Sequence, residues 1–180
     1  MALTGRTRYC ECMITLLIEA PAQSGERLAR TLAALIPAVV EGVVLDAIVL
    51  NADDSPDIEK VADAAGATSI SGGDFAVAVE TARGDWLMCL EPGARPRGEW
   101  IDAVTAALAD QPNGRAGPLR FRLDGTHGGL SRLFRRPRAL RSGLIIHKRQ
   151  ASAARVASLE ALARGRSARR LTARIAPADP

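Results

Sequence analysis

The sequence predicts an α/β fold in which a mostly parallel sheet is flanked by helices. Two observations carry this prediction. Apolar runs of strand length alternate with amphipathic helical segments through the first hundred residues, and this order is typical of parallel sheets covered on both faces. The chain also has 180 residues, of which 47% are hydrophobic, enough for one domain with a substantial core. We therefore expect a single domain over residues 1–180.

The first three elements are a strand, a helix and a strand. Met13–Ile18 is an apolar run with Thr15 as its one polar residue, and Val43–Leu50 is apolar except for Asp46; both are expected to be buried strands. The segment between them predicts a helix over Glu26–Ile36 that ends at Pro37. Its apolar residues share one helical face; they are Leu28, Leu32, Leu35 and Ile36.

The chain then repeats the pattern. The acidic turn Asn51–Asp54 precedes Ser55, which is suited to cap a helix. Thr68–Ser71 predicts a short strand, Asp74–Ala82 a helix and Trp86–Leu90 a further buried strand.

The second half is less regular. A helix is expected around Trp100 to Leu108, because its apolar residues fall on one helical face. The remaining segments are predicted as strands over Pro118–Leu123 and Leu144–His147, helices over Gly129–Arg136 and Ala151–Ala163, and a loop over Gln111–Gly117.

Acidic residues follow the predicted parallel strands at the point where each one ends. They are Glu19, the pair Asp53 and Asp54, and Glu91. Ligands of such sheets bind beyond the carboxyl ends of the strands. We therefore expect these side chains along one rim of the molecule.

Charge is distributed unevenly along the chain. Residues 1–114 carry 8 basic and 17 acidic side chains, whereas residues 115–180 carry 16 basic and 3 acidic ones. A basic segment suits an anionic partner such as a diphosphate, a lipid head group or nucleic acid. Nucleic acid is disfavoured, because aromatic residues make up only 3% of the chain and no helix-turn-helix, zinc or RNP pattern is present.

The densest basic stretch runs from Leu133 to Arg141, and three interpretations stay open. It could clamp a diphosphate through bidentate guanidinium contacts, dock on an anionic membrane surface, or form a solvated basic face. Its arginines are Arg135, Arg136, Arg138 and Arg141.

The sequence favours a cytoplasmic protein, with peripheral attachment at the inner membrane face left open by the basic stretch. No apolar run approaches the ~18 residues of a membrane span. We interpret the apolar run at Met13 as a strand, since Glu19 interrupts what would otherwise resemble a signal peptide. Cys10, Cys12 and Cys89 form no zinc pattern and cannot all pair, which favours reduced thiols.

Four segments carry a resemblance to a known family. They read MITLLIEAP, IVLNADDSPDIEKVADAAGA, FAVAVETARGDWLMCLEPGARPRGEW and, more faintly, SGLIIHKRQ. Their order resembles that of the family 2 glycosyltransferases, which have the nucleotide-sugar-binding GT-A fold. The resemblance implies a nucleotide-sugar-binding half over residues 13–110 and a reduced, basic acceptor-side half over residues 115–180.

The resemblance also implies a metal site, from which this sequence departs. Family members hold Mn²⁺ or Mg²⁺ with an acidic D-x-D motif after a strand. Here Glu91 stands at the first acidic position and Gly93 at the second, so the motif is degenerate. A late histidine completes the metal site in some members, which makes His147 a candidate ligand beside Glu91. A lone histidine is otherwise an ordinary surface residue.

The remaining candidate residues also come from the resemblance. Glu19 lies in the loop that touches the nucleotide, and Asp53 with Asp54 lies next to the position of the nucleobase contact. Glu160, in Ser158-Leu159-Glu160, is the closest counterpart of the family's catalytic carboxylate, which makes it the candidate base. Asp53 and Asp54 have a plain alternative as turn and helix-cap residues, and Glu91 has one as a solvated turn acid.

The resulting hypothesis is a small glycosyltransferase-like protein that binds a nucleotide-sugar donor. It would transfer the sugar to a hydroxyl of a lipid or cell-envelope acceptor. Two alternatives remain: an inactive relative kept as a binding or regulatory protein, and an arginine-rich adaptor at a membrane surface.

Overall fold

The computed structural model describes residues 13–111, 117–124, 138–164 and 166–178. In these ranges eight strands form one sheet in the order β3-β2-β1-β4-β7-β6-β8-β5. The strands are β1 Ile14–Glu19, β2 Val44–Asn51, β3 Thr68–Ser71, β4 Trp86–Leu90, β5 Arg95–Arg97, β6 Leu119–Leu123, β7 Leu144–His147 and β8 Arg169–Ala176.

Helices cover both faces of the sheet, as the sequence predicts. They are α1 Gly25–Val40, α2 Pro56–Ala64, α3 Phe75–Thr81, α4 Trp100–Ala109, α5 Lys148–Ala153 and α6 Leu159–Ala163. Among the described residues, buried side chains form two clusters, of which one packs α1, α2 and α4 against residues such as Leu16 and Met88. The other packs α3, α5 and α6 against the alternate residues, such as Leu17 and Leu87.

The first four strands are parallel and form the half of the sheet that positions the site. β2 pairs with β1 and β3 pairs with β2, on one side of β1. β4 pairs with β1 on the opposite side, with Ile18 beside Leu90. The direction in which strands are added therefore reverses between β1 and β4. A crevice is expected outside the carboxyl ends of two strands with this relationship.

The rest of the sheet is mixed. β7 is antiparallel to β4 and to β6, and β8 is parallel to β6 and antiparallel to β5. Neither β5 nor β8 is predicted from the sequence pattern. β8 has the alternation of a half-buried strand, because Leu171, Ala173 and Ile175 are buried and the residues between them are exposed.

Two predicted helix bounds are wrong. α1 continues beyond Pro37 to Val40, because proline removes only its own N–H and its carbonyl still accepts a hydrogen bond from the Glu41 N–H at 2.9 Å. The predicted helix Ala151–Ala163 is two helices. Arg155 lies between them in the left-handed region with φ 47°, and the Ser158 hydroxyl caps α6 by accepting the Ala161 N–H at 3.1 Å.

Some predictions lie outside the described residues. They are the helix over Gly129–Arg136, most of the loop over Gln111–Gly117, and the two cysteines Cys10 and Cys12. Cys89 is buried in β4, where burial raises the pKa of its thiol to about 12. In the described ranges, the helices are too short or too polar to cross a membrane.

Candidate functional site

A cleft of about 380 Å³ opens at the carboxyl edge of β1 and β4. It lies where the strand order reverses, and its volume is in the range of small-molecule sites. Residues from both halves of the chain line it: Glu19, Pro21, Arg27, Glu91, Pro92, Arg138, Leu140, Glu160 and Arg164. The structure thus brings together four of the predicted site residues, namely Glu19, Glu91, Arg138 and Glu160.

Glu91 is the first residue after β4 and is only 9% exposed. Its carbonyl accepts the Ala94 N–H at 3.0 Å, which closes the turn through Pro92 and Gly93. Burial raises the pKa of the Glu91 carboxyl, and Glu160 adds to this rise, while Arg138, Arg141 and Arg27 oppose it. The site therefore contains a desolvated acid surrounded by guanidinium groups.

Gly93 occupies the position at which the resemblance places a second acid. Its backbone has φ +98°, a conformation that a residue with a side chain rarely adopts. A Cβ there would lie 3.1 Å from the Ala178 Cβ and 3.5 Å from the Arg27 Cβ. The Gly93 N–H donates to the Thr31 hydroxyl at 2.7 Å. The local structure is thus built around a glycine at this position.

Glu19 lies beside Glu91 at the same sheet edge, since the residues before them, Ile18 and Leu90, are paired. Its Oε2 accepts the Leu159 N–H at 3.1 Å. Leu159 is the first residue of α6, so Glu19 attaches α6 to the end of β1.

Glu160 holds the wall of the cleft opposite Glu91. One of its oxygens accepts the Ala139 N–H at 2.8 Å and the other accepts the Leu140 N–H at 3.1 Å. The Arg164 guanidinium lies 3.4 Å from the first oxygen. The carboxylate therefore anchors the short 3-10 turn Ala139–Ser142. Its predicted role as a base stays a prediction.

Arg120, on β6, supports the same wall and was not singled out from the sequence. Its guanidinium donates to the Ala139 carbonyl, to the Ser142 hydroxyl at 3.2 Å and to the Ala163 carbonyl at 2.6 Å. Burial lowers its pKa, and Glu160 opposes this effect. Arg120 thus joins the turn to the end of α6.

The acids after β2 do not line the cleft. Asp53 Oδ2 accepts the Ala22 N–H at 2.8 Å, and Asp54 Oδ1 accepts the Gly72 N–H at 2.7 Å. Asp54 has φ 50°. Both side chains tie neighbouring loops together, as expected of turn residues. Their predicted nucleotide contact stays a prediction.

His147 lies at the opposite end of β4 from Glu91. β7 is antiparallel to β4 and pairs His147 with Trp86, and the five residues of β4 place Trp86 and Leu90 roughly 13 Å apart. Its ring packs edge-to-face on Trp86 at 5.2 Å, and its Nδ1 accepts the Arg149 N–H at 3.3 Å. Burial lowers its pKa, Asp85 opposes this effect and Arg149 reinforces it. This register separates His147 from Glu91 by the length of β4. The expectation that the two side chains bind one metal ion is therefore wrong.

The basic stretch reaches the cleft through Arg138, and Arg141 acts on Glu91 through its charge. Arg135 and Arg136 lie outside the described residues. Two further arginines of the cleft, Arg27 and Arg164, were missed. The signal for Arg27 is its place in the first turn of α1, just after the end of β1, where side chains approach the carboxyl edge.

A larger cleft of about 540 Å³ lies beside α4 and β8, where Arg97 and Arg174 contribute to its lining. β8 and β5 are the last two strands in the pairing order of the sheet, and neither Glu19 nor Glu91 lines this cleft. This cleft has no relation to the reversal of strand order, so we place the candidate site at the smaller one.

Comparison with solved structures gives the fold a name. Glucosyl-3-phosphoglycerate synthase from Mycobacterium tuberculosis, crystallised with Mn²⁺, UDP and glucosyl-3-phosphoglycerate, superposes with a TM-score of 0.57 at 15% identity, over 79% of this chain and 59% of that one. Mannosyl-3-phosphoglycerate synthase from Rubrobacter xylanophilus superposes with a TM-score of 0.55 at 15% identity, over 76% and 53%. The chain therefore spans less than two thirds of the length of each.

These similarities show the fold, which is the GT-A fold of nucleotide-sugar transferases, as the resemblance in sequence implies. No protein-family model matches the chain. No curated protein matches it either.

The cleft residues do not fit a resident Mn²⁺ or Mg²⁺. Such cations need several oxygen ligands in a regular arrangement. Within the described ranges, no three His, Cys, Asp or Glu side chains are grouped to hold a metal. Glu19 and Glu160 already accept backbone N–H groups, and Gly93 contributes no ligand. Glu91 remains as the single acid facing the cleft without such a bond among the described residues.

Proposed function

We propose that the chain is a glycosyltransferase-like protein that binds a nucleotide-diphosphate sugar in the cleft between β1 and β4. The observation that carries this proposal is the position of the cleft. It lies at the reversal of strand order in a GT-A fold, with Glu19 and Glu91 at the ends of the two strands. The Mn²⁺ and UDP complex of the neighbouring structure supports the class of ligand.

The cleft residues have distinct roles in this proposal. Glu91 accepts a hydrogen bond from a hydroxyl of the donor sugar or ribose, and the turn Glu91-Pro92-Gly93 is a degenerate form of the D-x-D motif. The arginines face the diphosphate, since guanidinium groups bind phosphate oxygens in pairs. Asp53 and Asp54 shape the neighbouring loops on the nucleotide side.

Transfer breaks the bond between the anomeric carbon and a phosphate oxygen, and the bonding electrons leave with the nucleoside diphosphate. An acceptor hydroxyl attacks the anomeric carbon and loses its proton. Cationic groups near the departing phosphate stabilise the negative charge that develops there. Glu160 is the proposed base for the hydroxyl proton. We propose a lipid or cell-envelope acceptor, because the basic half of the chain suits an anionic molecule.

A second candidate is a binding protein on the same scaffold without catalysis. The hydrogen bonds of Glu160 favour it, because both carboxylate oxygens are held by backbone N–H groups. An adaptor at a membrane surface is less favoured, since Arg138 lines a concave cleft beside Glu91.

Calorimetric titration with UDP, GDP and dTDP tests the proposed function. We expect one of them to bind with a Kd in the micromolar range. Release of sugar from the matching nucleotide-sugar, with a transferred product, supports an enzyme; tight nucleotide binding without turnover supports the second candidate. If none of the nucleotides binds and the protein is retained on anionic vesicles, the proposal is wrong and the adaptor is favoured.

A further inference from the structure

We infer that the guanidinium groups of Arg27, Arg138 and Arg164 hold the donor diphosphate in place of a divalent cation. This inference rests on the proposed function and specifies how the site recognises its ligand. It follows from the arginine side chains around Glu91 and Gly93, where a metal ion and its second carboxylate ligand would be expected.

Arg27 is the first arginine of the proposed diphosphate site. Its Cβ lies 3.5 Å from where a side chain at Gly93 would begin. Arg27 therefore lies next to the position that would supply the second carboxylate. The positive charge of Arg27 also acts on the Glu91 carboxyl. A cation that is part of the chain lies beside the first acid of the degenerate motif.

Arg138 approaches Glu91 from the other wall. Of the charged groups near Glu91 it has the strongest influence on that carboxyl. The residue that follows it, Ala139, is fixed through its N–H by Glu160 and through its carbonyl by Arg120. The backbone that carries Arg138 is thus anchored from two directions, which is a property of preorganised sites.

Arg164 completes the set at the end of α6. Its side chain is 75% exposed and lies 3.4 Å from Glu160, a weak contact that a phosphate could replace. Within the described part of the chain, the guanidinium groups of Arg27 and Arg138 form no hydrogen bond or ion pair. Each guanidinium therefore has donors free for phosphate oxygens.

The acidic side chains of the cleft do not fully offset the positive charge of these three arginines. Glu19 and Glu160 are turned to backbone N–H groups of the walls. Glu91 is desolvated, and burial favours its neutral form. A multiply charged diphosphate would therefore meet three guanidinium groups and one acid whose neutral form burial favours.

Calorimetry on the full chain with UDP, in EDTA and in Mn²⁺, tests the inference. We expect the Kd for UDP to agree within about threefold between the two conditions. Arg27→Ala and Arg138→Ala are expected to weaken binding about tenfold each in EDTA, since charge-assisted hydrogen bonds are lost. Arg30→Ala is the matched control, because it removes an exposed arginine from the same helix; its Kd should change by less than about twofold. Inorganic pyrophosphate should compete with UDP, and melting curves verify that each variant is folded.

The outcomes separate this inference from the proposed function. UDP binding that requires Mn²⁺ overturns the arginine site and leaves the proposed function in place. Metal-independent binding that both Arg27→Ala and Arg138→Ala retain in full also overturns the arginine site. Absence of UDP, GDP and dTDP binding in both conditions overturns the two proposals together.

Discussion

At the scale of single residues, Gly84 is the described glycine at which an added Cβ would meet other atoms most closely. A Cβ at Gly84 would lie 2.6 Å from the Met13 carbonyl oxygen and 2.7 Å from the Thr15 N. The Gly84 N–H donates to the Thr15 hydroxyl at 2.8 Å, and that hydroxyl donates to Asp46. These contacts join the start of β1 and β2 to the turn before β4.

Gly84→Ala is therefore expected to be strongly destabilising. The new methyl group would press on backbone atoms that cannot rotate away, and overpacking of this kind costs about 3 kcal/mol or more. The melting temperature should fall by roughly 6–12 °C. Gly25→Ala is the control, because its Cβ would meet only the Val61 side chain at 3.8 Å and alanine suits the first turn of α1. A melting temperature of Gly84→Ala equal to that of the control would contradict the packing described here.

Glu91 gives a prediction about pH. Burial raises its pKa above the ordinary value of 4.5, so between these two values the folded state binds a proton that the unfolded state has released. The free energy of unfolding consequently falls as pH rises through the raised pKa. Glu91→Gln removes the buried charge and should raise the melting temperature at pH 8 by a few degrees, a gain that shrinks towards pH 4.5. Glu80→Gln, at an exposed position of α3, should show no such trend. A gain for Glu91→Gln that is constant or grows at low pH would show that the carboxyl is not desolvated.

The sequence indicates some of these residues better than others. Glu91 is visible because an acid directly after an apolar run must lie at a strand end. Gly84 precedes the same strand, where a turn is expected. Arg27 and Arg120 were missed, because their roles depend on which helices and strands lie next to each other in the fold. The amino-acid sequence does not state these contacts directly.

At the scale of elements, the cleft wall formed by α6 and the turn Ala139–Ser142 depends on β6. Arg120 bonds to both segments, and Glu160 bonds to the turn from α6. These short segments contain nine residues in regular structure between them and would not hold their positions by helix formation alone. Arg120 links both segments to β6, in addition to the bond by which Glu19 holds the start of α6 at β1.

Arg120→Met should loosen this wall. The carbonyl groups of Ala139 and Ala163 would lose their charged donor, at a cost of about 2–4 kcal/mol, which corresponds to a fall of roughly 4–16 °C in melting temperature. The affinity for UDP should also fall, because Arg138 loses support. Arg122→Met is the control, since Arg122 is exposed on the same strand and its removal should change the melting temperature by less than about 2 °C. Equal melting temperatures and equal UDP affinities for the two variants would show that Arg120 does not position the wall.

The parallel elements were predictable and the late elements were less so. β4 is apolar throughout and β1 and β2 are largely apolar, so these strands can be identified from the length of their apolar runs. β8 was hidden by its exposed arginines, and β5 has only three residues. The break between α5 and α6 depends on Arg155, whose backbone lies in the left-handed region. Arginine rarely adopts this conformation, so the residue type does not predict the break.

At the scale of the whole molecule, the order of strands sets the position of the site. β1 and β4 are adjacent although β2 and β3 separate them in the chain. Their carboxyl ends therefore meet at one edge and bring Glu19 beside Glu91, while segments from the basic half close the cleft. The α/β class and the rim of acids were predictable from the alternation of elements. The antiparallel direction of β7, which moves His147 to the other end of β4, was not.

A crystal structure of the UDP complex tests the location of the site most directly. We expect the diphosphate between Arg27 and Arg138, with guanidinium nitrogens about 2.7–2.9 Å from phosphate oxygens and Glu91 facing the ribose or the sugar position. UDP bound instead in the cleft beside α4 and β8, or at the end of β4 where His147 lies, would contradict a donor site between β1 and β4.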